Sequence, residues 1–234
     1  EFEQMEMQFF IAPGTELDWF EKWKAQRMKW HLALGTPANK LKFKDHDNLA
    51  HYANAATDIQ FEFPFGFKEL EGIHSRTDFD LKSHQELSGK KLTYFDQEKN
   101  EAYVPYVVET SIGADRMFLA MLSNNLKEES VPDSKGEDST RLVFKIHPAL
   151  APVKCAVLPL VKNKEELTSK AKTIYDKLKL QFQCQYDDKD AIGRRYRRQD
   201  AIRTPICITV DFETLDDNCV TVRDRDTLVQ QRVP

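Results

Sequence analysis

The chain of 234 residues carries 34 Lys and Arg against 38 Asp and Glu, a formal charge of −4, with 41% hydrophobic residues. That length and apolar content suit two modest domains, each burying its own core. No apolar run reaches the roughly 18 residues of a membrane span and no secretory leader pattern opens the chain, so a soluble, cytoplasmic protein without a membrane partner is expected.

The opening residues alternate with period two: Met5, Met7, Phe9 and Ile11 point one way, and Gln4, Glu6 and Gln8 the other. Because Glu1-Phe2-Glu3-Gln4 already reads as strand, the chain is expected to be a piece of a longer protein. Pro13-Gly14 ends the strand, Thr15 is placed to cap a helix over 16–34, and Gly35 supplies its stop. A second alternating strand, 57–63, sets Thr57, Ile59, Phe61 and Phe63 against Asp58, Gln60 and Glu62. A third is predicted over Tyr103–Ser111, running through Gly113 into a helix with Met117, Leu119, Ala120 and Leu122 on its apolar positions.

The polar stretch 128–140, with Pro132 and Gly136, reads as a linker between domains at 1–127 and 141–234. Beyond it, an apolar strand at 153–161, a helix at 164–180, a strand at 180–186, a basic helix from Gly193 and strands at 205–210 and 219–222 predict an α/β domain with a mixed sheet. Residues 141–234 hold 18 Lys and Arg against 13 Asp and Glu, a net +5, while the preceding residues hold 16 against 25, a net −9. A basic half following an acidic one points to a polyanion partner for the second domain. Cys155, Cys184, Cys207 and Cys219 are widely spaced and contain no CxxC pair, so buried free thiols are expected. The six histidines occur singly and suit packing or surface roles better than metal ligation.

Carboxylates Glu6 and Glu109, with Ser111, are candidates to converge on a small polar ligand over a sheet floor. From pattern alone, an ordinary solvated sheet face explains them more simply. The segment Glu109-Thr110-Ser111-Ile112-Gly113-Ala114-Asp115-Arg116 resembles motif 3 of the class II aminoacyl-tRNA synthetases, in which a strand passes through Gly into a helix bearing an Arg. Phe2-Glu3-Gln4-Met5-Glu6 resembles the end of motif 2. The runs Phe63–Ile73 and Arg76-Thr77-Asp78-Phe79-Asp80-Leu81 are similar to a connecting region of glycyl-tRNA synthetases. The resemblance implies a partial class II catalytic core of α+β antiparallel-sheet type, followed by an α/β mixed-sheet anticodon-binding domain.

For function, the resemblance implies ATP-dependent activation of glycine and transfer to tRNA(Gly). Phe2, Glu6, Arg76, Glu109, Ser111 and Gly113 would form the substrate site, with Glu6 and Glu109 on the glycine ammonium. Glu69, Leu70, Gly113, Ala114, Asp115 and Arg116 would meet ATP, Arg116 and Glu69 being catalytic and Glu69 also a Mg²⁺ ligand. A fixed guanidinium near a helix start suits a triphosphate, and glycine offers only charges and smallness to recognise.

In the second domain, Gly193-Arg194-Arg195-Tyr196-Arg197-Arg198 and Arg223-Asp224-Arg225 resemble an anticodon-binding domain. The likeness implies tRNA contact by Arg194, Arg195, Tyr196, Arg197, Arg198, Arg223 and Arg225. Read without it, these residues fit a solvated helix face and a salt-bridged strand equally well. The family also implies a homodimeric full-length enzyme. Motif 1 and the first strand of motif 2 are missing here, so the isolated chain is expected not to form adenylate at a normal rate. The alternative is a synthetase-like accessory subunit that binds nucleic acid without catalysis.

Overall fold

The computed structural model describes residues 3–132 and 138–234, and the chain divides into two units between Asn124 and Asn125. Among the described residues no helix is long and apolar enough to cross a membrane.

In the first unit, β1 (Gln4–Ile11) turns at Gly14, whose φ is +87°, into α1 (Glu16–Ala33). Thr15 occupies the cap position, but its hydroxyl donates backwards to the Ala12 carbonyl at 2.7 Å and leaves the helix N–H groups alone. The expected side-chain cap is therefore absent, and Glu16 and Asp18 in the first turn complement the helix dipole instead. Gly35, at φ +88°, follows the helix in the left-handed conformation that a side chain resists.

The chain continues through β2 (Leu41–Asp45), β3 (Ala55–Phe63), β4 (Gly66–Thr77), α2 (Phe79–Ser88), β5 (Tyr94–Asp96), β6 (Glu101–Tyr103), β7 (Tyr106–Gly113) and α3 (Ala114–Asn125). The single strand expected over Tyr103–Ser111 is two, interrupted at Val104-Pro105, where proline has no N–H to give a ladder. Strands β1, β7, β4, β3 and β2 form one sheet in that order, every neighbouring pair antiparallel.

Alternation gives this sheet two chemically different faces. On one, Ile59, Ile73 and Ile112 pack with Phe20 of α1 and Met117 and Ala120 of α3. Glu71 belongs to the same face, paired across the ladders with Ile59 and Ile112, and its side chain is fully buried. A carboxylate removed from water costs several kcal/mol unless it is paired. Both partners come from α1: Arg27 donates from Nε to Oε1 and from Nη2 to Oε2 at 3.3 Å, and His31 Nε2 donates to Oε2 at 2.7 Å. The helix is thus fixed on the sheet by charge as well as by apolar area.

The second unit begins with β8 (Leu126–Pro132) and β9 (Asp138–Phe144), which pair antiparallel over their whole length. The segment 128–140 read as a linker is therefore largely hairpin. Backbone pairing needs no apolar side chain, so polar composition did not reveal it; Gly136 of that segment lies outside the described residues. There follow β10 (Cys155–Pro159), α4 (Glu165–Leu178), β11 (Cys184–Tyr186), α5 (Ile192–Ala201), β12 (Ile206–Val210), α6 (Glu213–Asp217), β13 (Val220–Asp224) and β14 (Gln230–Val233).

The sheet order is β11-β10-β12-β13-β14, with β11, β10 and β12 parallel and the last two strands antiparallel, a mixed sheet as expected. The apolar run of β10 is buried throughout because both faces are covered: Val157 packs with Leu167 and Ala171 of α4, and Ala156 and Leu158 with Cys207, Ile192 and Tyr196. Cys155 and Cys184, distant in sequence, lie opposite one another on parallel strands with sulfurs 3.0 Å apart, both as free thiols. Burial, then the neighbouring sulfur, pushes the Cys155 thiol up to about 12.

Because all three tryptophans, Trp19, Trp23 and Trp30, lie in α1, their fluorescence reports unfolding of the first unit alone. Glu71→Ala strips Arg27 and His31 of their buried anion and should lower stability there by about 3–5 kcal/mol. A urea midpoint by tryptophan emission that equals the unsubstituted chain's would refute this role.

Candidate functional site

The second face of the five-stranded sheet is polar, and the register decides which of its residues meet. One row across the strands reads Glu6, Ser111, Gly72, Asp58, and the next reads Gln8, Glu109, His74, Ala56. Small residues in the middle of the first row make a shallow floor, and Glu6, Asp58, Glu109 and His74 stand around it. Glu6, Glu109 and Ser111 are thereby brought together as the alternation suggested, with the Ser111 hydroxyl 3.5 Å from Glu6 Oε1.

Glu109 is held from two sides. Gln8 Nε2 donates to its Oε2, and Arg76 Nη1 donates to its Oε1 at 3.2 Å. Arg76 is itself gripped by Asp80 at 2.7 and 3.2 Å and lies over the Tyr52 ring at 4.2 Å. That Asp80 pairing holds the guanidinium above its ordinary pKa. These bonds occupy three of the five N–H groups a guanidinium carries. Arg76 thus reaches the face and orients Glu109, a positioning task its spacing in the sequence does not reveal.

Beyond the floor, His46 Nε2 donates to Asp58 Oδ1 at 2.8 Å, and the His46 and His74 rings meet edge to face at 5.8 Å. Burial pushes the His74 imidazole below its usual pKa, against an opposing pull from Glu109. Gln8, Asp58, Gly72 and His74 went unassigned in the sequence. Their two-residue periodicity with Glu6 and Glu109 was the signal available. Phe2 lies outside the described residues.

Where β7 gives way to α3 at Gly113 and Ala114, a second feature opens. Phe63, Phe65, Lys68, Glu69, Asp115, Arg116 and Leu119 line a cavity of about 510 Å³. The Phe63 and Phe65 rings stack at 5.1 Å with planes 3° apart, and Phe65 remains 63% exposed, an open aromatic surface. Arg116 Nη1 donates to the Glu69 carbonyl at 3.2 Å and lies 3.8 Å from its carboxylate. Aromatic faces, two cations and two carboxylates form a donor set that fits a nucleoside triphosphate with a divalent cation. Leu70 does not share in it: its side chain is 2% exposed in the apolar core, displaced there by the bulge between β3 and β4, so it could offer only backbone atoms.

The arginines of the second unit separate by burial. Arg195 is 1% exposed and donates to the backbone carbonyls of Pro159, Leu160 and Asp187. Arg223 makes a two-toothed pair with Asp200 at 2.9 and 3.0 Å and lies over Tyr196, whose hydroxyl bonds Thr209 at 2.5 Å. Arg225 is 5% exposed and ties the carbonyls of Arg203 and Ile146 to Asp226. Most of the polar atoms of these four residues are engaged within the fold, Arg195 Nε excepted, which favours a scaffold role over the RNA contact expected of them.

Arg198 is partly exposed but fastened to Asp187, Asp190 and the Lys189 carbonyl. Arg194 and Arg197 face solvent, Arg194 with only a 3.8 Å approach to Asp190. Arg197 also borders a cavity of about 430 Å³ with Leu126, Phe144, Arg203 and Leu228.

Residues 154–234 match the family model described as an anticodon binding domain. Curated relatives extend over the whole chain: it is 54% identical over 234 residues to a glycine–tRNA ligase of Chlorobaculum tepidum, covering 48% of that protein. It is 51% identical to a glycine–tRNA ligase of Agathobacter rectalis and 53% to that of Macrococcus caseolyticus, covering all of this chain and 50% of each relative. The chain therefore spans about half the length of the relatives it matches. Among solved structures, a Giardia lamblia prolyl-tRNA synthetase in complex with prolyl-adenylate shares the fold, with a TM-score of 0.61 at 19% identity over 99% of this chain and 45% of that one. The likeness, at about half identity, runs from one end of the chain to the other, so the whole chain is similar to one half of a glycine–tRNA ligase.

Proposed function

We propose that this chain carries the amino-acid pocket, the ATP-phosphate contacts and the tRNA-reading module of a glycine–tRNA ligase. The observation that carries the reading is the row Glu6, Ser111, Gly72, with Glu109 beside it: carboxylates framing a floor without bulk, which suits an ammonium on a molecule that has no side chain. Relatives named as glycine–tRNA ligases support the choice of amino acid.

On this reading the ammonium of glycine sits between Glu6 and Glu109, while Gln8 and Arg76 keep Glu109 in place. The glycine carboxylate is left free to attack the α-phosphorus of ATP. An O–P bond forms to give glycyl-adenylate, and the bond to pyrophosphate breaks. Arg116 and Lys68 offset the charge on the phosphate chain, and Glu69 with Asp115 provides oxygen ligands for Mg²⁺, which would screen the phosphates when bound. A terminal ribose hydroxyl of tRNA(Gly) then attacks the glycyl carbonyl and releases AMP. Orientation and charge carry the catalysis, and no covalent enzyme intermediate is required. The family resemblance extends the proposal to a homodimeric, cytoplasmic full-length protein.

In the second unit, Arg194, Arg197 and Arg198 offer the exposed cationic edge of α5 to the tRNA backbone and bases, whereas Arg195, Tyr196, Arg223 and Arg225 hold that edge in shape.

Glycine-dependent ATP–pyrophosphate exchange by the full-length protein tests the first half of the proposal. Glu109→Gln should lower it by about 100-fold or more, as loss of a directed charge does elsewhere. Exchange driven by another amino acid in place of glycine would sink the choice of glycine, and a lack of exchange with any amino acid at all would leave the accessory-subunit alternative. The second half separates stability from binding. Arg197→Ala should weaken tRNA binding and flatten its salt dependence by about one unit of slope, with unfolding unchanged. Arg223→Ala should cost about 2–3 kcal/mol of stability in the second unit, followed by hydrogen exchange along β12 and β13. The reverse pattern would return Arg223 to the RNA surface.

A further inference from the structure

The floor of the amino-acid site is bare at Gly72, and the space a side chain would take there is filled by its neighbour but one. A Cβ built on Gly72 would come within 2.8 Å of His74 Cε1 and 3.5 Å of His74 Nδ1, closer than a real methyl group tolerates. The φ of Gly72 is not in the left-handed region, so the backbone does not demand glycine; the imidazole does. The ring therefore lies across the β4 end of the floor that begins at Glu6 on β1. At about 4.8 Å between strands, that floor is roughly 10 Å wide.

The ring is held where it is by its surroundings. Glu109 Oε1 on β7 lies 4.0 Å from Nδ1, and the His46 ring, anchored on Asp58 of β3, closes the far side. Its side chain is 19% exposed, so an edge of it meets whatever occupies the floor. Burial favours its neutral form, in which it adds no charge against an ammonium on Glu6 and Glu109, and Arg76 on the same strand acts in the same direction.

We propose that His74 is a specificity-determining residue: its imidazole, seated over Gly72, is the wall that excludes amino acids larger than glycine. The inference rests on the amino-acid site proposed above. It adds a steric element that the carboxylates cannot supply, since every α-amino acid carries the same ammonium.

The test compares kcat/KM for glycine and L-alanine in pyrophosphate exchange by the full-length protein. His74→Ala should improve alanine relative to glycine by about 10-fold or more, the range a single methyl group commands in a fitted site. His74→Phe, which keeps a ring and loses both nitrogens, should retain discrimination. Gly72→Ala added to His74→Ala puts bulk back on the floor and should restore part of it. An alanine-to-glycine ratio that stays fixed in His74→Ala overturns the proposal, and so does failure of the second substitution to move the ratio back. Loss of exchange with both amino acids in His74→Ala and in the double variant overturns it too, showing a structural residue. Absence of glycine-dependent exchange in the unsubstituted protein, or its indifference to Glu109→Gln, would instead sink the underlying site.

Discussion

Glu71 and Gly72 are neighbours in β4, and the pleat of the strand sends them to opposite faces of the sheet. Glu71 enters an apolar layer where its charge survives only because Arg27 and His31 of α1 meet it. Gly72 opens onto the polar face, where its lack of a Cβ makes room for the His74 ring. The two requirements are linked by register: a one-residue slip of β4 would expose Glu71 on the floor and bury His74 in the core. The salt-bridged helix therefore fixes more than its own position. By pinning β4 it fixes which residues the polar face presents, and Glu109, Arg76 and Gln8 inherit their places from that register.

Charge serves a comparable structural purpose in the second unit. Arg195 gathers carbonyls at the ends of β10 and in the loop before α5, and Arg225 joins two more that are distant in sequence. A buried guanidinium is costly unless its N–H groups are engaged, and backbone oxygens engage both terminal nitrogens of Arg195, leaving only its Nε without a partner. The net positive charge of residues 141–234 consequently overstates the charge available to a polyanion. What remains outward on α5 is Arg194, Arg197 and the partly committed Arg198.

The sequence disclosed β1, β3, β7 and the start of α3 because each alternates cleanly or turns at a glycine, and the resemblance to motif 3 drew attention to Glu109, Ser111 and Arg116. Strand β4 was recognisable only as a resembling segment. Its bulge places Leu70 out of phase, and a fully buried Glu71 in mid-strand looks like a solvent-facing charge until α1 is laid over it. The resemblance alone assigns Leu70 to ATP, and pattern without the bulge gives no means of placing its side chain in the core. Short polar elements such as β2, β9 and β14 carry little hydrophobic signal, since backbone pairing defines them. In α5 the helix was legible but its inward side was not. Arginine has the same identity whether it meets solvent or a ring of carbonyls, and only the positions of Pro159, Leu160 and Asp187 distinguish Arg195 from Arg194.

On the proposed reading, the polar face of the first sheet captures the ammonium of an amino acid whose carboxylate faces the cavity at Arg116. A crystal structure of the full-length protein with a non-hydrolysable glycyl-adenylate analogue measures this directly. The ammonium nitrogen should lie within about 3 Å of both the Glu6 and Glu109 carboxylates, with the adenine against Phe65. An analogue bound with its ammonium turned away from Glu6 and Glu109, or seated off this face altogether, would contradict the proposed site.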